Sequence, residues 1–168
     1  IAVGVDRERG SARSGLQAPI AVRIVLVTER RAGLGRAGEA IEILRHAIAL
    51  DPDEPKSWTQ LGIVLFTRQD LGSAEEVLRR ALALAPEETN ARHHLPLTLL
   101  ARGNQAEAQE ELARILVIDP EHAPTYIDLA VLALSNGDAA GAIDRLTVAL
   151  RLDPDSDRAR FYHALALE

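Results

Sequence analysis

The chain has 168 residues, 47% hydrophobic and 3% aromatic, with no cysteine and a formal net charge of −6. That is enough apolar material for one ordinary domain with a core of Leu, Ala, Ile and Val, while disulfides, thiolate zinc sites and cysteine nucleophiles are excluded, and no apolar run reaches the roughly 18 residues of a membrane-spanning helix. Residues 1–50 carry eight Arg against five acids, giving +3, and residues 51–168 carry 11 basic against 20 acidic side chains, giving −9, so the larger part lacks the clustered Lys and Arg that phosphate neutralisation needs and no nucleic-acid partner is expected.

Residues 1–20 mix Gly, Arg and Ser, with no apolar stretch long enough for a signal-peptide core, and read as a flexible lead-in. Ile20 to Val27 is rich in β-branched residues and fits a strand by local pattern, but its phase with the downstream repeats favours a helix. From there the chain is periodic. Pro52, Pro86, Pro120 and Pro154 stand 34 residues apart, as do Ala40, Ala74, Ala108 and Ala142, and likewise Leu44, Leu78, Leu112 and Leu146. A fixed period of this size marks stacked helical units that bury their apolar faces against neighbours. Units are expected at about 21–54, 55–88, 89–122 and 123–156, with a partial one over 157–168.

Within a unit the apolar residues recur at i, i+3, i+4 and i+7, as in Ala74, Val77, Leu78 and Ala81, which is one face of a helix. Each proline ends a helix because it lacks the amide donor and pushes the residue before it out of the α region. A shorter turn is expected at Gly35, Gly103 and Gly137, with Gln69 as the exception, and Asp70, Asn104 and Asp138 then cap the second helix. Asn104 with Glu107 has the spacing of a capping box. Pro96 should kink the first helix of the third unit.

The second unit carries Trp58, Leu61, Gly62 and Leu65, then Ala74 and Leu78, then Pro86, and the fourth repeats this as Tyr126, Leu129, Ala130, Ala133, Ala142, Leu146 and Pro154. The third has Arg92 in the aromatic place and Pro96 in the small-residue place. On these residues the chain resembles the tetratricopeptide repeat family. The resemblance implies an all-α, right-handed α-solenoid acting as a protein–protein interaction scaffold, with function on the concave face lined by the first helix of each unit. The inward positions are then Thr59, Ile63, Phe66 and Thr67; Asn90, His93, Leu97 and Leu100; Ile127, Val131, Leu134 and Ser135; and Phe161 and Leu165. This would form a mainly apolar trough for a helix or extended peptide, with Asn90 and His93 supplying polar selectivity. The alternative is that several of these side chains are packed between helices. Thr59 and Ile63 stand where carboxylate-clamp members of the family carry Lys and Asn, so that activity is not expected.

Catalysis, metals and cofactors find no support. There is no G-x-S-x-G, P-loop or H-E-x-x-H. His93 and His94 are adjacent, hence about 100° apart on a helix, and cannot easily share an ion. Asp153, Asp155 and Asp157 lack the Gly and distal Glu of a calcium loop and read as helix-ending and helix-starting residues. The chain starts at Ile1 and ends on the apolar Leu165, Ala166 and Leu167, which suggests a piece of a longer protein. Two further readings stay open: a regulatory or docking region of a larger enzyme, and a module that self-associates through the uncapped C-terminal helix.

Overall fold

The computed structural model describes residues 35–167. The expected lead-in over 1–20, the Ile20 to Val27 segment and the first helix of the first unit lie outside the described residues. Among the described residues there are eight helices and no strand: α1 Ala37–Leu50, α2 Pro55–Thr67, α3 Leu71–Leu84, α4 Thr89–Ala101, α5 Gln105–Ile118, α6 Ala123–Ser135, α7 Ala139–Leu152 and α8 Asp157–Ala166. Helices of 10 to 14 residues are marginal alone in water, so packing of their apolar faces holds them.

That packing falls on the periodic positions. Ala40, Ala74, Ala108 and Ala142 have no exposed surface, and neither do Leu44, Leu78, Leu112 and Leu146. Alanine brings two helices close, and the leucine one turn later fills the space beside the contact, worth about 1.5–3 kcal/mol when fully buried. The chain divides into two compact bodies, one ending at Ala91 and one beginning at Arg92. In the first, Ala40, Ile41 and Leu44 of α1 and Ala74 of α3 enclose Leu61, Val64 and Leu65 of α2. In the second, Ile127, Ala130 and Ala133 of α6 pack with Ala142, Leu146 and Ala149 of α7 and with Ala159 and Ala166 of α8.

Two kinds of turn alternate. Between α2 and α3 the Asp70 N–H donates to the Leu65 carbonyl at 3.0 Å and the Gln69 N–H to Phe66 at 2.9 Å, and the same pair of bonds recurs at Asn104 and Gly103 and at Asp138 and Gly137. This double closure requires a left-handed residue at its centre. Gly103 (φ +84°), Gly137 (φ +77°) and Gln69 (φ +64°) supply it, and Gly35 (φ +75°) adopts the same conformation before α1. The other turns end α1, α3, α5 and α7 on an extended residue followed by proline. Asp119 and Asp153 brace two of them by accepting from the N–H two residues on.

Caps confirm two expectations and correct a third. Asp70 accepts from the Ser73 N–H and Asp138 from the Gly141 N–H. Asn104 stands at the N-cap of α5, but its side chain makes no capping hydrogen bond, so the expected box with Glu107 is not completed from that end. Pro96 does not interrupt α4, which runs through it as one helix with the proline ring fully buried.

Candidate partner-binding faces

The first-helix positions are set by a contact that recurs along the repeats. Trp58 Nε1 donates to the Pro52 carbonyl at 2.8 Å, the Tyr126 hydroxyl to Pro120 at 3.0 Å, and Arg160 Nη2 to Pro154 at 2.7 Å. Three chemically different side chains thus satisfy the same carbonyl six residues back, in the turn where proline leaves the backbone short of donors. What this place requires is a long side chain ending in a donor, of which an aromatic residue is one version. With the helix start pinned, the flank facing away from the second helix is fixed in rotation.

On that flank the expected binding residues separate into three groups. Ile63 and Phe66 in the first body, and His93, Leu97, Leu100, Val131 and Leu134 in the second, are half-buried, and Asn90 is exposed. Phe66 rests against the core of the first body, and Val131 and Leu134 against that of the second, so part of each side chain serves packing. Thr59 and Ile127 differ from the rest in being buried, with only 1% and 4% of their surfaces exposed. The Thr59 hydroxyl donates to the carbonyl of Pro55 in its own helix. Thr67 and Ser135, both exposed, likewise return their hydroxyls to backbone carbonyls of their own helices. Phe161 and Leu165 of α8 are 64% and 47% exposed, and Leu167 just beyond the helix is 65% exposed.

The family model for the tetratricopeptide repeat matches residues 32–96 and 99–167. The chain belongs to the tetratricopeptide repeat family. Solved structures agree on the fold. MamA from Desulfovibrio magneticus is 21% identical with a TM-score of 0.73, the match covering 91% of this chain and 90% of that one. PilF from Pseudomonas aeruginosa is 20% identical with a TM-score of 0.80, covering 90% and 69%. A tetratricopeptide repeat protein from Parabacteroides merdae is 19% identical with a TM-score of 0.74, covering 86% and 58%. At these identities the likeness concerns the fold. No curated protein matches the chain.

One polar cluster departs from the apolar pattern of these repeats. Asp128 of α6 is 1% exposed, and its Oδ1 accepts from Arg158 Nη2 of α8 at 2.6 Å. The Arg158 guanidinium lies over the Tyr162 ring, 5.9 Å from its centre. Nearby, the His93 ring stands edge-on to His94 at 5.5 Å and to His122 at 6.1 Å. The His122 Nδ1 is 2.8 Å from the hydroxyl of the fully buried Thr125. Burial pushes the His93 imidazole below its ordinary value; Asp128 opposes that shift, and His122 and Arg158 add to it. Burial also lowers His94, and His93 lowers it further. Among the described residues no group of three His, Asp or Glu side chains is placed to hold a metal ion. The sequence points to His93 and His94 but not to His122, Asp128 and Arg158, which join them from beyond their own helix. No described helix is long and apolar enough to cross a membrane.

Proposed function

We propose that this chain is an interaction scaffold that receives an apolar helix or extended peptide along the free flank of its first helices. Tetratricopeptide repeats bind protein partners, and this family membership supports the class of function rather than any catalytic one. The observation that carries the location is the run of half-buried apolar side chains at repeating positions: Ile63 and Phe66 in the first body, and Leu97, Leu100, Val131 and Leu134 in the second. Each body has its own patch of this kind. Asn90 and His93 are the polar residues on the same flank and would select among apolar ligands by hydrogen bonding. Such side chains keep enough surface to gain from burial, and Phe66, Val131 and Leu134 are held by the core behind them, so their binding loses little conformational entropy.

The test is affinity capture from native lysate with the intact chain, beside a Phe66→Glu/Leu97→Glu variant shown by circular dichroism to be folded. A partner retained by the first and lost by the second supports this reading. Equal retention by both contradicts it. A second reading, self-association, is favoured by the 64%, 47% and 65% exposure of Phe161, Leu165 and Leu167 at α8. It predicts a concentration-dependent mass that a charge at Leu165 abolishes.

A further inference from the structure

The histidine cluster of the second body carries an inference that goes beyond partner binding and does not rest on it. Three imidazoles meet where α4 approaches the start of α6: His93 contacts the His94 ring on its own helix and the His122 ring at the N-cap of α6. The charges acting on His93 come from Asp128 of α6 and Arg158 of α8, with His122; the charge acting on His94 is that of His93. Asp128 Oδ1 is already engaged by Arg158 at 2.6 Å, so its attraction for a protonated His93 is shared with a fixed guanidinium. His93 Nδ1 and Asp128 Oδ2 are buried, and neither has a hydrogen-bond partner among the described residues. A proton added to His93 would therefore place charge on a half-buried ring whose Nδ1 is shielded from water, facing one cation and two imidazoles with only half-committed compensation.

We propose that this cluster is a proton-sensitive latch: the contact of α4 with the start of α6 holds at neutral pH and loosens in mild acid. The sign is set by the direction of the shifts. Both His93 and His94 are lowered from 6.5 in the folded chain. Above 6.5 folded and unfolded forms are both neutral, and these groups favour neither. As pH falls below 6.5 the unfolded chain takes up the protons first, so stability is lost until the folded values are passed. Carboxylate titration enters only at lower pH, which makes the interval between 7.5 and 5.5 diagnostic.

The experiment measures the urea midpoint of the intact chain at pH 7.5 and 5.5, for wild type and His93→Gln/His94→Gln, together with a proton NMR titration of the wild-type histidines. The latch predicts a wild-type midpoint that falls over this interval, a clearly smaller fall in the variant, and titration midpoints for His93 and His94 below 6.5. An equal fall in both proteins overturns it. So does a His93 midpoint at or above 6.5, which would mean that Asp128 outweighs burial and that acid tightens the contact. Should the variant not fold, the wild-type titration decides by itself.

Discussion

Gly62→Ala is the sharpest perturbation of the helix–helix contact on which each repeat depends. An alanine Cβ at this site of α2 would lie 2.6 Å from Leu78 Cγ, 2.7 Å from Leu78 Cδ2 and 3.3 Å from Val77 Cγ2, both residues of α3. Leu78 has no exposed surface. Inserting a methyl into such a contact costs about 1–3 kcal/mol, while replacing glycine by alanine inside a helix returns about 1 kcal/mol. The net expectation is a loss of about 1 kcal/mol. Ala130 stands 68 residues later in the same phase, with no exposed surface in the core of the second body, so the repeat admits a methyl where the pair of helices is built around it. The α2–α3 pair is not. Urea unfolding of the intact chain should show the loss, and the same substitution in a Leu78→Ala background should become stabilising, because the atoms it strikes are gone. A lone Gly62→Ala that raises stability by the full propensity gain, with no dependence on residue 78, would refute the reasoning.

Single contacts set the other expectations. Gln69→Gly should stabilise the chain by up to about 1 kcal/mol in thermal unfolding, because Gln69 is a side-chain-bearing residue held at φ +64°. Arg158→Ala should cost about 1–3 kcal/mol in the same assay, since it strands the Asp128 carboxylate at 1% exposure; the partly exposed arginine keeps the figure below that of a fully buried pair. Trp58→Phe and Tyr126→Phe should each lose about 0.5–1.5 kcal/mol by urea unfolding, the worth of the bond to the proline carbonyl. Ala142→Glu should remove most of the helical circular dichroism signal of the second body, because that residue has no exposed surface and packs within its apolar core.

The parts of the fold legible in the sequence are those in which one residue type recurs at one phase. The alanines at 40, 74, 108 and 142 and the leucines four positions on all lie in the core because every unit makes the same contact with the same geometry. The turns were legible for the same reason, down to Gln69, which takes the left-handed conformation of the glycines in its phase. Interactions that join different phases were not legible. The Asp128–Arg158 pair and the His93–His122 contact link residues of different elements at non-equivalent positions, and no spacing rule brings them together. The inward stripe was legible only in part: Thr59 and Ile127 occupy the same phase and both are buried, whereas His93 between them is half-buried. The aromatic place misled in another way, because Arg160 serves there as well as Trp58 or Tyr126.

The proposed partner engagement along the first helices is read out most directly by hydrogen–deuterium exchange of the intact chain, with and without a partner recovered by capture. Added protection is expected in α2, α4 and α6, strongest around Ile63 to Phe66, Leu97 to Leu100 and Val131 to Leu134. Protection confined to α8, or to the second helices α3, α5 and α7, would place the partner elsewhere and contradict that assignment.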